Sequence, residues 1–155
     1  MSYSKDICSR IIKFLDNDDW KYRLDEEKEI IKSGLSLKNK MKKVDIVFDL
    51  RDDKFFIYMT YPMCAGEDER PEVLRLINRI NYGIMFGNFE MDERDGEIRF
   101  RYAVDCDNCL PSQEVIRHGI YRSAATCEKY GDALIMVIMG FSKALDAYKA
   151  AQKDN

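Results

Sequence analysis

The sequence has 155 residues, of which 46% are hydrophobic and 34% are charged, with a net charge of −3. This balance predicts a single folded domain over residues 1–155, ordered at about residues 3–151, and it argues against disorder. Nucleic acid is not expected as a partner, because proteins that bind phosphate backbones carry basic stripes. A membrane is not expected either, since the longest apolar run, residues 133–141, is far shorter than the roughly 20 residues of a spanning helix.

The N-terminus and the cysteines predict where the protein resides. Residues 1–12 are polar and charged and lack the apolar centre of a secretory signal. The five cysteines are an odd number, which fits reduced thiols better than a disulfide framework. We therefore expect a cytoplasmic protein.

The first half of the chain predicts a helix followed by three or four strands. Apolar residues at helical spacing predict an amphipathic helix over residues 3–15. Alternation predicts strands over residues 20–24, 29–37, 44–50 and 55–61. Gly34 interrupts the second pattern, so residues 20–37 hold either one strand or two.

A two-residue turn at Asp52-Asp53 would join the strands at residues 44–50 and 55–61. It would place Leu50 opposite Phe55, and the same register pairs Phe48 with Ile57 and Ile46 with Met59. This register collects the apolar side chains on one face, which favours it over a one-residue slip.

The second half predicts a helix, a hairpin and one or two further helices. Residues 71–85 show helical spacing, and Gly87 is expected to end that helix. Asp95-Gly96 is the favoured pair of a type I′ turn, which would pair Met91 with Phe100 and Phe89 with Tyr102.

After the hairpin, Ser112 is a candidate helix cap. A break is expected near Tyr130-Gly131, with a last helix over residues 132–151 and a frayed tail over residues 152–155. The fold class predicted is therefore α+β: an antiparallel sheet of about five strands with helices packed on it.

Three segments of the second half form a recognisable series: residues 76–83 (LINRINYG), 87–91 (GNFEM) and 95–101 (DGEIRFR). They resemble the YbjN domain family, which shows an LNRLN helix, a glycine, an F-E strand, a DGE turn and a strand with alternating arginines. Phe14-Leu15 followed by Trp20 also resembles the N-terminal part of the family. With this order and spacing the resemblance extends over roughly residues 11–140.

The resemblance to the YbjN family implies a fold like that of the type III secretion chaperones, with helices on one face of an antiparallel sheet. It also implies a bacterial cytosolic protein described as a sensory-transduction regulator. It carries over no catalytic residue.

Two sets of residues are candidates for chemistry. Cys106 and Cys109 form a CxxC pair, which is half of a zinc site or a redox dithiol, but ordinary loop cysteines have the same spacing. His118 is the only histidine, so any Cys–His or Ser–His–Asp mechanism needs it, and no nucleophile motif surrounds it. No glycine-rich phosphate loop or dinucleotide motif is present, so no cofactor and no enzymatic activity are expected.

Other residues are candidates for a structural or a binding role. Asn78 and Asn81 share a helix face, and Asn81 falls within the apolar stripe, where its amide would bond a sheet edge, the loop before Gly87 or a ligand. Residues 134–139 are apolar all round, so Met136 and Met139 are candidates for a homodimer or partner interface, with simple core packing as the alternative. The sheet aromatics Phe56, Tyr58 and Tyr61 are candidate anchors for a partner.

These patterns favour a non-catalytic regulator or chaperone-like adaptor that binds a protein or peptide and forms a homodimer. The alternative hypothesis is a sensor of a small molecule or of zinc. It would use an internal pocket or the pair Cys106 and Cys109.

Overall fold

Four helices and one antiparallel sheet make up residues 2–153, the part of the chain that the computed structural model describes. In chain order the elements are α1 Lys5–Asn17, β1 Arg23–Asp25, β2 Ile30–Ser36, β3 Lys43–Leu50, β4 Lys54–Thr60, α2 Arg70–Gly83, β5 Asn88–Met91, β6 Ile98–Asp105, α3 Gln113–Ile138 and α4 Ala144–Lys153. The predicted fold class and element order are confirmed, and residues 20–37 hold two strands.

The strand order in the sheet is β1-β2-β3-β4-β6-β5, and every neighbouring pair is antiparallel. Strands β1 to β4 follow one another as neighbours, whereas β6 lies between β4 and β5. The short strands β1 and β5 therefore form the two edges of the sheet.

The register predicted for β3 and β4 is confirmed. Leu50 lies opposite Phe55, and the pairs Phe48–Ile57 and Ile46–Met59 follow. The N–H of Arg51 donates to the carbonyl of Lys54 at 3.0 Å and closes the two-residue loop. Apolar side chains consequently alternate into the core along both strands.

The register predicted for β5 and β6 is wrong by two residues. Phe89 pairs with Phe100 and Met91 pairs with Ile98. The loop has four residues, because the N–H of Asp92 donates to the carbonyl of Glu97 at 2.9 Å. A shift of two residues keeps every side chain on its expected face, which is why alternation alone could not detect it.

Helix α2 ends at Gly83, four residues before the end that we expected at Gly87. The N–H of Ile84 still donates to the carbonyl of Ile80, but Ile84 itself has extended backbone angles. Gly87 has a φ of +71° and passes so close to the ring of Phe100 that a Cβ atom would collide with it. Gly87 therefore allows the chain to enter β5 rather than ending the helix.

Helix α3 begins at the predicted cap, where the hydroxyl of Ser112 accepts from the N–H of Val115. It continues through Gly131, so the break expected at Tyr130-Gly131 is wrong. Gly131 lies against the side chain of Asn39, whose amide donates to the carbonyls of Cys127 and Glu128 at 3.0 Å each. The glycine makes room for a neighbour, and the helix does not need to stop there.

The break in the C-terminal region comes later than predicted. Helix α3 reaches Ile138, and Gly140, with a φ of +73°, ends it. Helix α4 then packs against both α3 and α2. Of the expected frayed tail, residues 152–153 belong to α4, and residues 154–155 lie outside the described part of the chain.

One hydrophobic core joins the helices to a single face of the sheet. It contains the inward-facing side chains of β3, β4 and β6 together with the buried stripes of α1, α2 and α3. The other face of these strands carries the alternate, partly exposed residues. The helices therefore cover one face of the sheet, and the opposite face is available to a partner.

Candidate partner-binding face

The side chains of β4 alternate between the covered and the uncovered face of the sheet. Phe55, Ile57 and Met59 are buried under the helices. Phe56 and Tyr58 point to the uncovered face and are partly exposed. The aromatic pair thus lies where a partner could contact it, as expected of candidate anchors.

Tyr61, the third predicted anchor, lies in the core instead. It is 2% exposed, and its hydroxyl donates to the carbonyl of Cys127 in α3 at 2.6 Å. Burial raises the pKa of Tyr61 well above its ordinary value. The prediction was wrong because Tyr61 has the same parity along the strand as the buried residues of β4.

Phe56 and Tyr58 form an ordered aromatic pair. Their rings stack with centroids 5.9 Å apart and an angle of 18° between the planes. The guanidinium of Arg99, from the neighbouring strand β6, lies 4.1 Å from the centroid of the Tyr58 ring. This contact is a cation–π interaction, so the pair presents flat apolar surface beside a positive charge.

Two arginines of β6 share one carboxylate on this face. The Nε of Arg99 lies 2.6 Å from one carboxylate oxygen of Glu90, and the Nε of Arg101 lies 3.5 Å from the other. One carboxylate neutralises only one guanidinium, so this group has an excess positive charge. We name the surface formed by Phe56, Tyr58, Glu90, Arg99 and Arg101 the aromatic–arginine face.

The arginines of this face were not predicted as site residues. Alternation placed charged residues of β5 and β6 on one face, but it could not show that β6 pairs with β4. That pairing sets Tyr58 opposite Arg101 and Thr60 opposite Arg99. Glycine and turn signals give local structure only, whereas this contact joins strands that are distant in the chain.

Asn81 binds the edge of the sheet, which is one of the three partners that the sequence allowed for its amide. Its side-chain amide donates to the carbonyl of Phe89 at 2.9 Å, and its oxygen accepts from the N–H of Phe89 at 2.8 Å. The two bonds satisfy the outward backbone groups of edge strand β5 at this residue. Asn78 is exposed on the same helix and takes no part in this clamp.

The two loop cysteines differ in environment. Cys106 is buried, and burial, followed by the charge of Asp105, raises its pKa to about 11. Cys109 is exposed. A thiolate is the form that binds metal or attacks a disulfide, so the buried Cys106 is poorly suited to either role. Within residues 2–153 no group of three or more His, Cys, Asp and Glu side chains could hold a metal ion.

His118 lies on the exposed side of α3. Its Nε2 is 3.8 Å from a carboxylate oxygen of Glu114, one helical turn earlier. This is the geometry of a surface pair along a helix, which contributes little to stability. Neither side chain of the pair is a serine, threonine or cysteine nucleophile.

Met136 and Met139 are exposed at the C-terminal end of α3. Of the other apolar residues of this stretch, Leu134, Val137 and Ile138 are buried, and Ile135 is partly buried against the core. The two methionines are available for a contact, and their part in a homodimer stays a prediction. No helix within residues 2–153 has the length and apolar character that crossing a bilayer requires.

Comparison with known proteins gives a family and a fold. The sequence model of the YbjN family, described as "Putative bacterial sensory transduction regulator", matches residues 8–136. A crystal structure of YbjN, "a putative transcription regulator from E. coli", is similar with a TM-score of 0.59 at 11% identity, over 90% of this chain and 93% of that chain. No curated protein sequence matches. Because the family match spans most of the sequence, the chain belongs to the YbjN family.

Proposed function

We propose that the protein is a non-catalytic regulator that binds a protein partner through the aromatic–arginine face. One observation carries the proposal: a stacked aromatic pair with a guanidinium over it lies on a sheet face that none of the four helices covers. Aromatic and arginine side chains dominate the binding energy of protein interfaces. The family description, a regulator of sensory transduction, agrees with this role.

The chemistry of this face defines what a partner must offer. An apolar side chain would cover the rings of Phe56 and Tyr58, and a carboxylate would compete with Glu90 for Arg99 or Arg101. Both contacts would be removed from water at the centre of the interface, where such groups contribute most. The partner we infer therefore presents an apolar residue close to an acidic one.

The edges of the sheet are less suited to binding than this face. Strand β1 has only three residues, and Asn81 occupies the outward backbone groups of Phe89 on β5. An added partner strand would find few free N–H and C=O groups at either edge. This favours contact through side chains on the face over strand addition.

The proposal is tested by capturing partners on the tagged protein from its native lysate and identifying them by mass spectrometry. We expect one stoichiometric protein with the wild type. With Tyr58→Ser, its recovery should fall by about tenfold or more, as expected for loss of a central aromatic contact.

Phe141→Ser provides the matched control, because Phe141 is an aromatic residue that is 71% exposed outside the sheet. It should recover the same protein as the wild type. The proposal fails if no protein is recovered stoichiometrically, or if Tyr58→Ser, with an unchanged unfolding temperature, recovers it as well as the wild type does.

A further inference from the structure

A pocket of about 600 Å³ lies between α2 and α4, away from the aromatic–arginine face. Sites for small molecules commonly have volumes of roughly 300–1,000 Å³. The pocket shares no residue with the aromatic–arginine face. The two sites can therefore be tested with separate substitutions.

The pocket has an excess of positive charge. Arg75, Arg79 and Lys143 line it together with a single carboxylate, that of Glu72. Glu72 is already engaged, since it accepts from the N–H of Ala144 at 2.8 Å and lies 3.3 Å from a guanidinium nitrogen of Arg75. Within residues 2–153, Arg79 and Lys143 make no salt bridge. Two cations thus remain for an anionic ligand, and phosphate suits both guanidinium and ammonium groups.

The same pocket has aromatic walls. Tyr82 is 95% exposed, which leaves both faces of its ring available to a planar group. The ring of Tyr148 stacks on that of Tyr130, with centroids 6.5 Å apart and the planes nearly parallel. The guanidinium of Arg79 lies 5.8 Å from the centroid of the Tyr148 ring, so cationic and aromatic groups are adjacent. This combination favours a ligand that carries both a charge and a flat ring.

Asn78 adds a polar group to this wall. It is exposed on α2 and lines the pocket, and its amide offers both a donor and an acceptor. The edge of a nucleobase needs that pair of functions.

We propose that the α2–α4 pocket binds a mononucleotide. Its phosphate would lie at Arg79 and Lys143, its base would stack on Tyr82, and Asn78 would bond the edge of the base. No glycine-rich loop is required, because side chains supply the phosphate contacts here.

The test is a titration of the ¹⁵N-labelled protein with AMP at low ionic strength, followed by amide chemical shifts. We expect saturable shifts concentrated in α2 and at the start of α4. Adenosine and ribose 5-phosphate, which carry the base and the phosphate separately, should each bind about tenfold more weakly than AMP, because each lacks one set of contacts.

Two pairs of variants separate specific from general effects. Arg79→Gln should weaken AMP binding by about tenfold, whereas Arg10→Gln, the same loss of charge on α1, should leave it unchanged. Tyr82→Ala should also weaken binding, whereas Met85→Ala, at a residue that is 90% exposed outside the pocket, should not.

Three results would overturn the proposal. The first is an absence of AMP-dependent shifts in α2 and α4. The second is equal AMP affinity of Arg79→Gln and Arg10→Gln. The third is ribose 5-phosphate binding as tightly as AMP, which would show an anion site without recognition of the base.

Discussion

The β3–β4 and β5–β6 hairpins of the sheet are held in different ways. The β3–β4 turn is a two-residue loop, Asp52-Asp53, closed by a backbone hydrogen bond between Arg51 and Lys54. The β5–β6 loop has four residues, and the segment before α2 packs directly against it. The N–H of Ala65 donates to the carbonyl of Gly96 at 2.9 Å.

The first residue of α2 strengthens this attachment. The side chain of Arg70 donates to the carbonyl of Ala65 and to the carbonyl of Glu93, each at 3.1 Å. The β5–β6 loop is therefore shaped by a contact with a distant segment. The β3–β4 turn also accepts a hydrogen bond from outside its two strands, from the N–H of Cys106 to the carbonyl of Asp53 at 2.8 Å, but its loop keeps the two-residue length that its own strands predict. The glycine of the β5–β6 loop, Gly96, is therefore needed for the close approach of Ala65 as much as for the turn itself.

The largest effect that separates the two hairpins is expected for Gly96→Ala. Gly96 has a φ of +78°, and an added Cβ atom would collide with the backbone of Ala65. Strain and displacement together should lower the free energy of unfolding by about 3 kcal/mol. Urea denaturation measures it.

Gly66→Ala is the control, because no atom lies within 4 Å of a Cβ atom built at Gly66, the residue after Ala65. It should change stability by no more than about 0.5 kcal/mol. If the two alanine variants were equally stable, the packing of Ala65 on Gly96 would not determine the shape of this loop.

A smaller effect is expected for Asn81→Ala, which removes the clamp on β5. Both hydrogen bonds to Phe89 would be lost at a partly buried position, which should cost about 2 kcal/mol. Hydrogen exchange at the amide of Phe89 should become faster, while exchange in β3 and β4 should change only through the loss of global stability.

Asn78→Ala tests the same residue type on the same helix without the clamp. Its side chain is exposed, so the unliganded protein should keep its stability within about 0.5 kcal/mol. A loss of stability as large as that of Asn81→Ala would mean that replacing an asparagine destabilises α2 itself, and that the clamp on β5 is not the cause.

The contrast between the hairpins also explains what the sequence could predict. Alternation determines which face a side chain occupies, and it did so correctly in both hairpins and would have placed Tyr61 in the core. The register within a face depends on loop length. Asp95-Gly96 predicted the wrong loop length, because the conformation of Gly96 is set by its contact with Ala65. No local pattern contains that contact.

For the candidate site, too, the sequence predicted which face a side chain occupies but not the contacts between distant segments. Phe56 and Tyr58 follow from alternation, and Asn81 follows from a polar side chain in an apolar helical stripe. The position of Arg99 over Tyr58 depends on β6 lying beside β4, and the need for a glycine at residue 131 inside α3 comes from the side chain of Asn39. Both are contacts between distant segments, and such contacts leave no periodic signal in a single sequence.

The smallest expected effect is an acid dependence confined to the β5–β6 loop. The guanidinium of Arg94 and then its backbone N–H donate to the carboxylate of Asp92 and hold the pKa of Asp92 at about 2. Because the pKa is lowered in the folded state, this interaction stabilises the protein above pH about 4, the ordinary value for Asp, and is lost as the pH falls toward about 2. The difference in unfolding temperature between the wild type and Asp92→Asn should narrow over that interval.

Asp53 in the β3–β4 turn allows a matched measurement. One contact with Lys54, at 2.7 Å, lowers the pKa of Asp53. Because that contact is a single exposed ion pair, the difference in unfolding temperature between the wild type and Asp53→Asn should narrow less on acidification. Equal narrowing for the two variants would show that acid does not distinguish the hairpins, and that the contacts of Arg94 add nothing beyond an ordinary surface pair.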